Sequence, residues 1–314
     1  MPTLADVAVL AGVSKATASR ALGRPDLAAP ETVARVRAAA EQLGFVPNRA
    51  ATQLARGRTG VVAIVVPTLD NTFFTPIIGG AQARAAGSGM QLTIAVHSLE
   101  HTAQLAAVEQ LAHQVDGFLF AAPRGTDEIV RAAASYKPTV LIDREIDGMP
   151  STVADTATAF GALIGWFAEK GHEHIVYIGG PAGSWQDGQR QAAIRAAASA
   201  SGATLTMLGP YPSTFASGVA TAEAVVAARA TAVVPYATSI GLGLMFALMR
   251  RGVTDVVVSS EGMVVESLGL HDVPSIDVDG EKLGEVAMDQ LMTLLGERRT
   301  PAVPTRHRLT VPIS

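Results

Sequence analysis

The hydrophobic rhythm of the chain changes near residue 60. Before it, apolar positions recur at helical spacing in three short blocks. In the first block Val7 and Leu10 mark one side of a helix that Thr3 can cap, with Asp6 three residues on in a capping-box arrangement. Gly12 turns the chain, and Ser14 suits the N-cap of a second helix. Pro30, favoured at a first helical position, opens a third, which runs through "ETVARVRAAAEQL" to Gly44 as its C′ residue. Val33, Val36, Ala40 and Leu43 form its inward stripe. So small a unit buries little surface and is expected to be only modestly stable alone. The next stretch, "PNRAATQLARGRTG", is basic and has no apolar bulk apart from Leu54. It reads either as a linker or as a helix that forms only against a partner.

From Val61 the pattern becomes apolar runs alternating with helical stretches. Strands are predicted at "VVAIVVP", "QLTIAV", "GFLFAAP", "PTVLID", "HIVYIGG", "TAVVPY" and "VTDVVVSS", and helices at 73–87, 101–113, 126–135, 156–170, 186–201, 215–229, 239–251 and 280–296. Strands that are Val/Ile-rich without alternation are buried on both faces, and helices between them imply doubly wound parallel sheets. About 250 residues of this pattern suit two α/β lobes around a cleft. No short-period repeat interrupts it.

Composition and charge narrow the function classes. In 314 residues, 48% hydrophobic, there is ample material for more than one core, and the absence of cysteine excludes disulfides and thiolate metal sites. The opening "MPTLADVAVLAGVS" has no basic leader and its apolar residues are broken by Asp6 and Gly12, so it is not expected to be a signal peptide. No window is apolar enough to suggest a membrane span, and a cytoplasmic protein is expected. The net charge of −4 conceals an asymmetry. Residues 1–60 hold eight Lys and Arg against the four acids Asp6, Asp26, Glu31 and Glu41, a balance of +4, which leaves −8 for the rest. A basic head on an acidic body suggests that the head alone meets a polyanion, a solvated helical surface being the alternative.

On the second helix Lys15, Ala16, Ser19 and Arg20 share one face, and Ala18, Ala21 and Leu22 the other. Two cations, a hydroxyl and a small residue suit a helix in a DNA major groove, where Arg pairs with guanine O6 and N7. Ser14, Thr17 and Ser19 could donate to flanking phosphates. Taken alone, the same pattern would serve an ordinary amphipathic helix pair.

The head, "TLADVAVLAGVSKATASRAL" with "ETVARVRAAAEQLGFVPNRAATQLARGRTG", strongly resembles the lactose-repressor (LacI) family of bacterial transcription regulators. The resemblance continues through "VVPTLDNTFF", "DGFLFAAP", "VLIDR", "GHEHIVYIGGP" and "LGEVAMDQLM", nearly the whole chain. It implies an all-α helix-turn-helix DNA-binding domain at 1–46, a hinge helix or linker at 47–59, and an effector-binding and dimerisation domain at 60–314. That last domain would be an α/β, periplasmic-binding-protein-like pair of lobes, 60–155 plus 279–300 and 156–278 plus 301–314. By the resemblance Lys15, Ala16 and Arg20 read bases, while Thr3, Ser14, Thr17, Ser19 and Asn48, with Arg49 beside it, hold the DNA backbone. Residues 48–56 would pair with their twin from a second subunit and enter the minor groove, Ala51 at its floor and Leu54 wedged between base pairs to kink the duplex. Without the family, Leu54 would read as a staple onto the body. Gly23 stands where the family usually has Asn, and Ala29 replaces a Ser or Thr cap on the third helix.

The same matching nominates Phe73, Phe74, Asp143, Arg144, Arg190, Tyr236 and Glu261 for the cleft, with Trp185 as a stacking partner. Arg190 leads, because a guanidinium fork can clamp vicinal hydroxyls or a carboxylate. Phe74 in the core, an Asp143–Arg144 pair and a structural Arg190 are the competing readings. Several polar positions depart from the family: Ala237-Thr238 for Asn-Asp, Ser259-Ser260-Glu261-Gly262 for Gly-x-Asp-Asp, Asp277-Val278 for Arg-Gln, and Asn71-Thr72-Phe73-Phe74 for "NPFF". These leave sugars as the first ligand class and nucleosides or purines next, beside a ligand with a cation near Glu261 or a degenerate pocket.

Other chemistry is thin. "GGPAGS" at 179–184 lacks the Gly-Lys-Ser/Thr ending of a phosphate loop, and His172 and His174 have no third ligand. No catalytic constellation, cofactor or metal is expected. The reading is a homodimeric, effector-controlled regulator, a repressor, on double-stranded operator DNA and without a membrane partner. A solute-binding protein of transport is the runner-up, and a sugar-active enzyme the third.

Overall fold

The structure, a computed structural model, describes residues 2–23, 27–45, 58–270, 273–296 and 305–313. It divides into two units, residues 1–60 and 61–314. Asn48, Arg49, Ala51 and Leu54, expected at the DNA, lie outside the described residues.

The head holds α1 (Leu4–Leu10), α2 (Lys15–Gly23) and α3 (Pro30–Gln42). The capping box forms at α1: the Thr3 amide donates to Asp6 Oδ2 at 2.8 Å, and the Asp6 amide donates to Thr3 Oγ1 at 3.4 Å. Ser14 Oγ accepts the Thr17 amide at 3.1 Å and so caps α2. At α3 Ala29 offers no side-chain cap and Pro30 occupies the first turn. Gly44 ends this helix at φ +61°, which lets the Phe45 amide reach back to the Ala40 carbonyl at 2.8 Å. The core is built of alanine and valine, with Val7, Ala18, Ala21 and Val36 wholly buried. Leu10, expected on the inward side, is 46% exposed; Val7, Ala8 and Ala11 form the buried stripe instead.

The body begins with β1 (Val61–Val66), α4 (Phe74–Gly87) and β2 (Gln91–Val96). There follow α5 (Leu105–Ala112), β3 (Gly117–Ala121), α6 (Asp127–Ala134), β4 (Thr139–Ile142) and β5 (Ser151–Ala154). The second half runs α7 (Thr156–Glu169), β6 (His174–Ile178), α8 (Trp185–Ser201), β7 (Thr204–Leu208), α9 (Phe215–Ala227) and β8 (Ala232–Pro235). It closes with α10 (Thr238–Arg250), β9 (Val257–Val258), α11 (Gly262–Ser267), α12 (Gly280–Gly296) and β10 (Arg306–Leu309). Two all-parallel sheets result, one in the order β10-β5-β4-β3-β1-β2 and the other β7-β6-β8-β9. β1, β3 and β4 are buried almost throughout, as strands covered on both faces must be.

β10 corrects the expected division into lobes. It pairs with β5 in the first sheet, Arg306 opposite Ser151 through Leu309 opposite Ala154, whereas the tail was expected with the second lobe. The free edge of β5 is the available parallel partner, and Gln290 of α12 ties the two strands by reaching the Ser151 and Thr305 carbonyls. The chain therefore passes to the second sheet after β5 and returns ahead of α12, and Ile313 bridges back to Ile276.

Within the first lobe α4 and α12 touch backbone to backbone. A Cβ on Gly80 would collide with the Glu281 carbonyl, and one on Gly284 with the Ile77 carbonyl. Among the described residues no helix is long and apolar enough to cross a membrane.

Candidate nucleic-acid interface and ligand cleft

On α2, Lys15, Ala16, Ser19 and Arg20 are all exposed, while Ala18 and Ala21 are buried against α1 and α3. The helix thus presents two cationic side chains with a flat alanine between them. Ser14 and Thr17 are partly occupied with each other, their hydroxyls 2.8 Å apart. The Thr3 hydroxyl donates to Asp6 at 2.8 Å, so at a phosphate it could donate only by giving up that bond. The Thr3 amide and hydroxyl together hold the Asp6 carboxyl below its ordinary range.

In the body a cleft lies between the carboxyl ends of the two sheets, enclosing about 740 Å³ of which part is open solvent. That is where doubly wound sheets offer loop ends and helix N-termini to a ligand. Of the eight residues expected there, six line it: Phe73, Phe74, Asp143, Arg190, Tyr236 and Glu261.

Arg144 does not line the cleft. Its NH2 donates to Asp127 Oδ1 at 2.7 Å and to the Gly125 carbonyl at 3.3 Å, bracing the first lobe. Trp185 is corrected as well: it is the first residue of α8, half-buried and off the cleft wall. Aromatic stacking falls to Phe160 and Tyr236, whose rings lie 4.3 and 4.8 Å from the Arg190 guanidinium carbon.

Arg190 is not an idle fork. Nε donates to Thr156 Oγ1 at 2.8 Å and NH1 to the Tyr236 carbonyl at 2.9 Å, so the guanidinium already joins α7, α8 and the end of β8. Tyr236 lies over Gly180, where any Cβ would meet its ring, and its hydroxyl is 3.0 Å from Ser184 Oγ. Beneath α8, buried Asp187 accepts from the Tyr177 hydroxyl at 2.6 Å and the Gly180 amide at 3.0 Å. Burial, with Asp187 adding to it, pushes the Tyr177 hydroxyl well above the ordinary tyrosine range.

Asp143 is one of the most deeply buried polar groups in the cleft, 2% exposed. Oδ1 accepts from the Ala154 amide and Gln186 Nε2, each at 2.9 Å, while Oδ2 is buried with no hydrogen-bond partner. Burial raises its carboxyl above the usual range, against the opposing pull of those two donors and the Arg190 charge. Its φ is +53° and that of Ala122, also on the cleft wall, +43°. A left-handed non-glycine residue costs about 1–3 kcal/mol, and here two stand at successive strand ends facing one cavity.

Sequence reasoning passed over Asn71, Thr156, Phe160 and Gln186 as cleft residues. The last three carried a weak signal: Thr156 and Phe160 are one turn apart on α7, as are Gln186 and Arg190 on α8. Gln186 donates across the lobes to Asp143 and accepts from Thr156 Oγ1 at 3.2 Å. Among the departures, Thr238, Ser259 and Val278 line the cleft, and Asp277 accepts the Gly262 amide at 2.8 Å at the start of α11.

The chain matches two family descriptions, "Bacterial regulatory proteins, lacI family" over residues 3–48 and "Periplasmic binding proteins and sugar binding domain of LacI family" over residues 59–311. It is similar to the maltose regulon regulatory protein MalI of Escherichia coli (strain K12), 30% identical over 267 residues, covering 80% of this chain and 76% of that one. Among solved structures it is similar to a transcriptional regulator CelR–cellobiose complex, with a TM-score of 0.69, 25% identity and coverage of 100% and 98%. The lac repressor dimer bound to operator and the anti-inducer ONPF has the same fold, with a TM-score of 0.80, 23% identity and coverage of 99% and 97%.

Proposed function

The chain belongs to the LacI family of bacterial regulatory proteins, and on that footing we propose that it is a cytoplasmic repressor that binds a pseudo-palindromic operator as a homodimer under the control of a small effector. The exposed Lys15–Ala16–Ser19–Arg20 face of α2 carries this reading. A guanidinium reaching into the major groove pairs bidentately with guanine, Ala16 permits close approach, and Ser19 meets the backbone. The same reading takes Asn48 and Arg49 to the DNA backbone and Ala51 and Leu54 into the minor groove, as the family resemblance implies.

Dimerisation is supported by two apolar stripes. Phe215, Val219 and Val226 fall on one face of α9, and Leu242, Phe246 and Met249 on one face of α10; all are more than a third exposed. The Phe215 and Phe246 rings lie 5.9 Å apart and join the stripes into one surface. A two-fold axis through it would match the symmetry of a palindromic site.

The effector binds between the lobes, with sugars the first class and nucleosides or purines next. The similar CelR regulator is complexed with cellobiose, and the MalI relative is the maltose regulon regulatory protein. Whichever ligand it is, coupling is reciprocal: an effector that weakens operator binding is itself held less tightly on DNA.

The test is selection of bound DNA from a random pool by the full-length protein, repeated with a panel of sugars and nucleosides. A palindrome whose recovery changes with one compound supports the whole reading. Enrichment indifferent to every compound keeps the DNA role and removes the effector. No enriched sequence returns the body to a solute-binding role.

A further inference from the structure

The geometry points to an effector that is an organic cation, a ring carrying a protonated amine that sits between Asp143 and Glu261. This rests on the cleft being an effector site and says which chemistry it accepts. Three charged side chains line the cleft among the described residues, the carboxylates Asp143 and Glu261 and the guanidinium of Arg190. Arg190 is partly committed within the protein. Two of its donors are committed to Thr156 and Tyr236, its plane lies over two aromatic rings, and its charge acts on Asp143. One carboxylate, Glu261, then stands uncompensated, and no side-chain partner is formed for it among the described residues.

The demand for a donor is independent of that charge balance. Asp143 lines the cleft, its Oδ2 is buried with no partner, and Gln186 does not supply one. Gln186 Nε2 is spent on Asp143 Oδ1 and on the Ala154 carbonyl at 3.1 Å. A buried acceptor left unmade is costly, and a ligand N–H fills the vacancy that a ligand oxyanion would aggravate. The walls agree, since Phe73 lines the cleft, and a desolvated cation is attracted to aromatic ring surface where an anion is not.

The experiment uses the full-length protein and calorimetry with two matched sets at millimolar concentration. One is glucosamine, glucose and glucuronate; the other is benzylamine, benzyl alcohol and benzoate. In at least one set the amine should bind roughly tenfold tighter than its alcohol partner, and the acid should be weakest. The set that responds distinguishes an amino sugar from an aromatic amine. Glu261→Gln, at the half-buried rim, should remove most of that preference, and Asp143→Asn the remainder, with melting curves checking that each variant is folded. Equal binding of amine and alcohol, or preference for an acid, overturns the proposal and leaves the effector reading intact. No binding by any member of either set also overturns the proposal, and the effector reading then stands or falls on the panel of sugars and nucleosides used in the selection. An amine that binds without altering operator affinity counts against the effector reading alone.

Discussion

Arg20 and Arg190 are the same residue type put to opposite uses. Arg20 stands exposed on α2 with its donors facing outward, and it should govern which base is tolerated. Arg20→Ala is therefore expected to cost about 1–3 kcal/mol on the selected operator and little on random DNA, measured by paired titrations; equal losses on both would remove it from the base-reading set. Arg190 commits two of its donors within the protein, and its neighbour Asp143 has a consequence for stability. Burial raises the Asp143 carboxyl, so over the window from about pH 4 upward the folded state binds more protons than the unfolded one. Its contribution is fully present below the unfolded value and is lost as pH rises through the folded one. Asp143→Asn keeps an acceptor at the Oδ1 position and should flatten the decline in stability from acid to neutral pH, as read by urea unfolding at several pH values. An unchanged slope would show that Asp143 is not its source. Arg190 and Asp143 could be named from the chain because matching it to the family nominates both positions. Gln186 could not, since a glutamine at the start of a helix has no meaning until folding brings Asp143 and Thr156 against it.

At the scale of elements, the apolar runs β1, β3, β4 and β6 and the helices between them follow from periodicity. Three strands did not announce themselves. β5 reads Ser-Thr-Val-Ala and spans four residues, β7 is an edge strand with threonines, and β10 is Arg-His-Arg-Leu. β7 and β10 are edge strands and so need not be apolar, whereas β5, buried between β10 and β4, is too short and too rich in hydroxyl residues to stand out. Helix contact likewise depends on which glycines meet. Gly284→Ala would drive a methyl into the Ile77 carbonyl, and the α4–α12 pair must separate to admit it. A loss of about 1–3 kcal/mol in chemical denaturation is expected, whereas Gly79→Ala on α4, with open space around it, should be neutral or stabilising. Equal behaviour of the two variants would contradict the close approach.

For the whole molecule the decisive surface is that on α9 and α10. Phe246→Asp places a charge in the middle of the joined apolar stripes without entering the lobe's core, since Phe246 is 49% exposed. The variant should sediment as a monomer at micromolar concentration, keep its melting cooperativity, and bind a palindromic operator at least tenfold more weakly, because each head then gains no help from the other. A dimer that survives the substitution would move the interface elsewhere.

The amino-acid sequence by itself determined the three-helix head, the parallel α/β body, the outward face of α2 and the family, because each rests on periodicity, caps and contiguous motifs. Tertiary structure alone decided that β10 joins the first sheet, that Arg144 turns to Asp127, that Phe160 and Tyr236 replace Trp185 beside Arg190, and that Asp143 keeps an unpaired oxygen in the cleft. These are facts about partners that are not neighbours in the chain and that folding brings together. A hydrogen bond between residues 143 and 186 belongs to neither neighbourhood, and only the packing of two lobes on each other specifies it.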